Sequence, residues 1–132
     1  MSQIKISDIT MKQSGKDFSL SFKEKLEIPK LLDKLDVTVI ELEGIEQPKI
    51  DPLRIKSVAS TVKNSIVAVP VSLTVDSVET TWNALKEAEH PRLQVFASVS
   101  PVQMEYLFHK KPAAMLKTIE ESYPKFIKTI EK

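Results

Sequence analysis

Residues 66–85 read IVAVPVSLTVDSVETTWNAL, a short β-branched run followed by a segment of helical period. The run at 66–71 has the composition of a strand that is buried on both faces. In the segment that follows, Val78, Trp82 and Leu85 recur at the spacing of one helix face, so we expect all three in the core. This stretch predicts one βα unit.

Three other β-branched runs, at residues 3–10, 37–41 and 93–97, alternate with helical segments in the same way. Such alternation is typical of βα units and a parallel sheet. We therefore predict an α/β fold of the (βα)4 type, with parallel strands and outer helices. Units of this kind can form half of a TIM-type barrel or a small open doubly wound sheet, and periodicity does not choose between them.

The predicted helices have recognisable starts and buried faces. Asp51 precedes Pro52 and is placed to cap the second helix, and Thr74 or Asp76 can cap the third. The first helix is expected over residues 21–35. Its predicted apolar stripe consists of Phe22, Leu26, Leu31 or Leu32, and Leu35.

Prolines interrupt several of these elements. Pro70 lacks the N–H for a ladder hydrogen bond, so we expect it near a strand end or at an edge. Pro29 and Pro124 lie inside predicted helices, where a proline costs on the order of 3 kcal/mol, so we expect a kink or a local break at Pro29 and a kink at Pro124. The last helical segment begins with a short turn, SPVQMEYLF, and resumes after Pro112.

The composition fits one small domain over residues 1–132. Of the 132 residues 42% are apolar and 28% are charged, with a formal net charge of +1. This balance lacks the basic footprint of a dedicated nucleic-acid binder, and no run reaches the roughly 18 apolar residues of a membrane span. Because the chain has no cysteine, we expect no disulfide or thiolate site and a cytoplasmic location. From the charge balance and the lack of a long apolar run we expect neither nucleic-acid nor membrane partners.

Several stretches resemble the family of 2-isopropylmalate synthase, homocitrate synthase and HMG-CoA lyase. Residues 82–106, WNALKEAEHPRLQVFASVSPVQMEY, are similar to the family's third helix, fourth strand and following loop. DITMK at 8–12 stands where the family has D-T-T-L-R-D-G, and residues 24–44 and 66–79 resemble its first helix with second strand and its third strand. The resemblance implies strands one to four, about the first half, of a catalytic TIM-type barrel.

By this resemblance, family members condense the acetyl group of acetyl-CoA with a 2-oxo acid on a divalent metal, which is Mg, Mn or Zn. The family's R-D pair implies a cation for the developing alkoxide and one metal ligand, and a later His-x-His pair completes the coordination. Here the pair reads Lys12-Gln13. Lysine keeps the charge but lacks the planar guanidinium fork, and glutamine brings no anion. We therefore expect no metal or other cofactor, and Lys12 is the candidate catalytic residue.

Three further residues are candidates for substrate binding. Glu41 matches the strand-two glutamate of the family, and an ion pair with Lys12 is an equally weighted alternative. Ser100 retains the serine of the family's S-x-x-H-M loop, whereas Gln103 replaces its histidine. His90 and His109 are distant in sequence, so we assign them to surface or cap positions rather than to a metal.

A half barrel leaves its first and fourth strands as unpaired edges. We expect a homodimer, or a partner chain, to complete the barrel. The alternatives are that the C-terminal helix covers the open face, or that the sequence is a segment of a longer parent.

We therefore interpret the chain as an isopropylmalate synthase-like half barrel that is catalytically inactive alone. It acts by association or by residual binding of a small carboxylate at Lys12. One alternative is an acyltransferase component that becomes active when a partner supplies the His-x-His strand. Another is an interaction module with no ancestral ligand.

Overall fold

The computed structural model describes residues 3–14 and 17–131 and confirms the predicted α/β fold. A short 3-10 turn, Thr10–Lys12, follows the first strand. The strands are β1 (Ser7–Asp8), β2 (Val39–Glu41), β3 (Ile66–Val71) and β4 (Pro91–Val95), and the helices are α1 (Phe22–Lys34), α2 (Asp51–Thr61), α3 (Val75–Leu85), α4 (Pro101–Tyr106) and α5 (Pro112–Ile130).

The strands form one parallel sheet in the order β1-β2-β3-β4. Val67 and Val69 of β3 pack with α2 and α3 in the main core, and Val71, on the same face, packs with α3 and α5. Sequential strand order with helices on one face is the winding of a TIM barrel, whereas a doubly wound sheet reverses direction and has helices on both faces. The chain therefore has the architecture of half a TIM-type barrel.

The main core lies between the sheet and the first three helices. It forms because the β-branched strands and the apolar faces of the helices bury their side chains together, which is the dominant favourable term in folding. Its buried members are Met11, Ile40, Leu42, Ile55, Val58, Ala59, Val62, Val67, Val69, Ala84, Leu85 and Ala88.

Polar side chains fix the starts of two helices. Ser21 caps α1: its hydroxyl accepts the Glu24 N–H, and the Glu24 carboxylate accepts the Ser21 N–H at 2.8 Å. Thr74 caps α3 by accepting the Ser77 N–H, as one of the two predicted alternatives stated. The prediction for Asp51 is wrong, because it is already inside α2 and its carboxylate accepts the N–H groups of the preceding loop.

The helices continue through both interior prolines. Pro29 lies within α1 and Pro124 within α5, so the local break expected at Pro29 does not occur. Pro29 is fully buried, and this burial offsets its missing hydrogen bond. Pro70 lies next to the end of β3, as expected, and its nitrogen is on the side of β2. β2 has already ended at this level of the sheet, because the Leu42 N–H, one residue past β2, bonds to Ala68 O at 2.8 Å.

Strand boundaries differ from the sequence prediction. The first strand was expected over 3–10, but only Ser7–Asp8 is strand, because it has a neighbour on one side alone and the Asp8 side chain turns the chain at Thr10. The fourth strand, expected at 93–97, begins and ends two residues earlier, at Pro91 and Val95. A period-2 pattern does not show where a neighbouring strand stops.

Some predicted core residues are exposed. Phe22, Leu31 and Leu35 of the expected α1 stripe are exposed, while Leu26 and Leu32 pack against the core. Trp82 is only partly buried. The helical pattern identifies an apolar face, but among the described helices α1 packs mainly against α2, so part of that face is uncovered.

A buried carboxylate joins the first helix to the third strand. Asp33 accepts the N–H groups of Lys63 and Asn64 at 2.9 Å and of Ser65 at 2.7 Å. Burial raises the pKa of Asp33, but these donors outweigh it and the pKa is lowered. The contact sets where β3 begins.

Among the helices of the described residues, none is long and apolar enough to cross a bilayer.

Candidate functional site

Three polar side chains meet where β1 and β2 end. Lys12 Nζ lies 3.1 Å from Glu41 Oε2, and the Ser7 hydroxyl donates to Glu41 Oε1 at 2.6 Å. We call Ser7, Lys12 and Glu41 the corner. The corner confirms the ion pair that was one of the two interpretations of Glu41.

Local structure brings these side chains together. The Asp8 carboxylate accepts the Thr10 N–H at 2.9 Å, and this bond begins the 3-10 turn that ends at Lys12. Glu41 is the last residue of β2, and strand alternation directs its side chain away from the helices, because Ile40 beside it is in the core. Ser7 pairs with Val39 and so shares that inner face of the sheet.

The corner is neutralised internally. The hydrogen bond from Ser7 and then that from Lys12 lower the pKa of Glu41, against a smaller opposing effect of burial. Lys12 Nζ also lies 5.5 Å from the centroid of the Phe96 ring, which follows β4. The cation of Lys12 is therefore already satisfied by an anion and an aromatic face.

The other predicted site residues do not join the corner. Gln13 is exposed and its side-chain Nε2 donates to Ile9 O at 3.4 Å. Ser100 precedes α4 without capping it, and Gln103 lies within α4; both are exposed. The substrate-binding roles of Glu41, Ser100 and Gln103 stay predictions.

A cleft of about 470 Å³ opens where β2, β3 and β4 end. Parallel sheets and barrels generally bind ligands at the carboxyl ends of their strands, so this cleft lies where a ligand site is expected. Its walls are mainly apolar, with hydroxyl groups on the side of α3. The lining includes Gly44, Pro70, Ser72, Ser77, Phe96, Phe108 and Met115. None of the predicted site residues lines it, because its walls come from segments that are distant in sequence and carry no motif.

A second polar cluster was not found from the sequence. Arg54 of α2 is buried, and its guanidinium lies 2.9 Å from Glu43 and 3.3 Å from Asp51. Burial raises the pKa of Asp51, but N–H donors from Gln47 and Glu46, together with Arg54, bring it below its ordinary value. In sequence, an arginine in the first turn of a helix, two residues after Pro52, looks like an ordinary exposed residue. The cluster fastens the loop after β2 to α2.

The two histidines lie apart. His90 precedes β4, and its carbonyl accepts the Val67 N–H at the amino end of the sheet. His109 follows α4 with a positive φ of 51°. Within residues 3–14 and 17–131, no three His, Asp or Glu side chains converge on a point that could hold a metal.

Comparison with known proteins places the chain in a family. The HMGL-like family model matches residues 3–131. The 2-isopropylmalate synthases of Lysinibacillus sphaericus and Halalkalibacterium halodurans are 33% and 32% identical to it over 124 residues, which is 92% of this chain and 24% of each relative. That of Lactococcus lactis subsp. cremoris is 31% identical over 102 residues, or 76% of this chain and 20% of the relative. The chain thus spans about a quarter of the length of the curated relatives that it matches. It belongs to the HMGL-like family.

Proposed function

We propose that this chain is a non-catalytic HMGL-like half barrel that acts by association with further strands. The observation that carries the proposal is the corner. Where the family resemblance places a catalytic cation, Lys12 is held by Glu41 at 3.1 Å. A cation can stabilise a developing alkoxide only if it is free to face it.

The residues present do not fit the divalent metal that the resemblance implies. Gln13 stands at the position of the metal-binding aspartate and offers only a neutral amide. Of the nearest carboxylates, Asp8 is bonded to Thr10, and Glu41 is bonded to Ser7 and Lys12. Hard divalent cations prefer several anionic or carbonyl oxygens. We therefore derive no step that passes through a metal.

The same geometry weakens the case for a small carboxylate at Lys12. Such a ligand would have to displace Glu41, whose side chain is 15% exposed and already accepts two hydrogen bonds. Association is supported instead by the two sheet edges. β1 and β4 each have a neighbour on one side within the described chain, and an unpaired edge readily pairs with another strand.

A second candidate is an acyltransferase component that needs a partner. The cleft of about 470 Å³ favours it, because it lies at the strand ends where barrel enzymes hold their active sites. On this hypothesis a partner chain brings the His-x-His strand.

The test is thiol release from acetyl-CoA in the presence of 2-oxoisovalerate and Mg²⁺ or Mn²⁺. The chain has no cysteine, so a thiol reagent reads coenzyme A without background from the protein. We expect no turnover by the pure chain, with an active isopropylmalate synthase as positive control. Turnover by the pure chain would contradict the proposal. Turnover that appears only with a co-purifying chain would select the second candidate.

A further inference from the structure

The open edge of β4 exposes defined backbone groups. The Phe96 N–H donates to Val71 O at 3.4 Å, and His90 O accepts the Val67 N–H at 3.0 Å, so even-numbered residues of this strand face β3. Because backbone groups alternate along a strand, Leu93 and Val95 direct their N–H and C=O groups away from the sheet. This edge can accept one more parallel strand.

The open edge of β1 is complementary. Val39 donates its N–H to Ile6 O at 3.0 Å, and the Ile6 N–H donates to the Thr38 hydroxyl at 3.1 Å, so Ile6 faces β2. Lys5 and Ser7 therefore direct their backbone groups outward. In the described residues, β1 and β4 are thus the two outer strands, and the β4 edge of one copy can pair in parallel with the β1 edge of another.

Apolar side chains flank both edges on the helix side of the sheet. Asp8 pairs with Ile40, whose side chain faces the helices, so Ile6 two residues earlier faces the same side. Its side chain is 57% exposed. On the other edge Val95 pairs with Val71, which packs against α3 and α5, and Val95 is exposed as well. The apolar side chains at both edges are thus exposed to solvent in the described part of a single copy.

Helix α5 presents a matching cover. Its buried residues are Met115 and Phe126, and Phe126 packs with Val78 of α3 and Val71 of β3. Three exposed apolar residues of α5 lie roughly 100° around the helix axis from the buried face that Met115 and Phe126 define. They are Leu116, Tyr123 and Ile127, and Leu116 is 61% exposed. We call these three residues the α5 flank. In a right-handed βα winding, this rotation turns the flank toward the open edge of β4. The opposite flank is polar and carries Thr118, Glu121 and Lys125.

Helix α1 of a second copy can pack against the α5 flank. A strand added beyond β4 would bring its own following helix beside α5. In a second copy that strand is β1 and that helix is α1, where Leu35 is exposed next to Lys34. Leu31 is exposed on the same helix, so α1 offers an apolar surface to the α5 flank.

We propose that two copies of this 132-residue chain close an eight-stranded ring, in which β4 and α5 of each copy pack against β1 and α1 of the other. The two joints are related by a two-fold axis along the barrel, so the assembly is closed and leaves no strand edge. The proposal rests on association as the proposed function and names the partner. A second copy is favoured over an unrelated chain because both complementary surfaces occur on the same chain.

The first test is the mass in solution. Light scattering should give twice the 14.9 kDa of the chain. Leu116→Lys on the α5 flank should yield a folded monomer. Ala114→Lys adds the same charge to an exposed position on the opposite flank and should leave the dimer intact. A monomeric parent chain, or equal effects of the two variants, would refute the proposal.

The second test does not depend on how a variant folds. Amide hydrogen exchange of the parent chain should show protection at Leu93 and Val95, whose N–H groups point away from β3 toward an edge that has no neighbouring strand in the described part of one copy. Gln94 and Phe96, which face β3, are internal controls and should be protected in any state. A dimer in which Leu93 and Val95 exchange freely would refute ring closure.

The same samples separate this proposal from the proposed function. A dimer that releases thiol would overturn the non-catalytic function and leave ring closure standing. A monomer without thiol release would do the reverse.

Discussion

The corner provides a quantitative test of how burial changes the strength of an ion pair. Lys12 and Glu41 are 28% and 15% exposed in their side chains and lie 3.1 Å apart. Exposed pairs contribute about 0–1 kcal/mol, and charge-assisted hydrogen bonds in partly buried places about 1.5–3 kcal/mol. We expect a coupling free energy of about 1–2 kcal/mol between the two side chains.

A double-mutant cycle measures this coupling. The variants are Lys12→Met, Glu41→Gln and their combination, each unfolded in urea at pH 7. The pair of Lys30 with Glu27, 3.0 Å apart but exposed on α1, is the matched control and should show a smaller coupling. If the corner couples no more strongly than this exposed pair, burial does not strengthen it and the reasoning fails.

The pH dependence has a definite sign. The pKa of Glu41 is lowered in the folded chain, first by Ser7 and then by Lys12. A carboxyl group with a lowered folded pKa stabilises the fold above its ordinary pKa of about 4.3, and the contribution is lost as the pH falls through the folded pKa. The coupling should therefore persist from pH 7 to pH 5 and decline in stronger acid. A coupling that increases on acidification would contradict this assignment.

Three other substitutions should lower the free energy of unfolding measured in urea. Asp33→Asn should cost about 2–3 kcal/mol, because a carboxylate that accepts three N–H groups becomes a neutral amide; an unchanged midpoint would contradict the buried contact. Ser21→Ala should cost about 1 kcal/mol by removing the capping box, and Ser19→Ala, outside the helix, serves as its control. Arg54→Met should cost about 3 kcal/mol, since it removes the buried cation that Asp51 and Glu43 share and leaves Glu43 with Lys25 alone, 3.3 Å away; full stability would show that the cluster is dispensable.

The sequence predicts the elements of this fold better than their extent. The run at 66–71 is a strand over its full predicted length, because it has a neighbour on each side. The run at 3–10 is also rich in β-branched residues, yet only Ser7–Asp8 pairs, because no strand lies beyond it in the described chain. The local sequence pattern indicates which side chains can be buried. Which of them are buried depends on the strands and helices that pack beside them in the fold.

The site shows the same limit in another form. Lys12 and Glu41 could be paired from sequence, because they stand at the carboxyl ends of strands that are adjacent in the predicted sheet and their charges are opposite. Phe96 beneath the Lys12 ammonium, and Met115 in the wall of the cleft, could not, since apolar residues carry no mark that separates a ligand surface from a core. Arg54 was missed for the opposite reason, because charged residues are rarely buried.

The corner and the proposed ring are physically connected. Closure would enclose the inner face of the sheet, where Ser7, Glu41 and Lys12 lie. Desolvating a lone ammonium costs several kcal/mol, whereas a cation that already has an anion and an aromatic ring as partners loses less on burial. Glu41 in turn already accepts bonds from Ser7 and Lys12 before any second copy arrives. The pairing of Lys12 with Glu41 therefore lowers the free-energy cost of enclosing this face in the proposed ring.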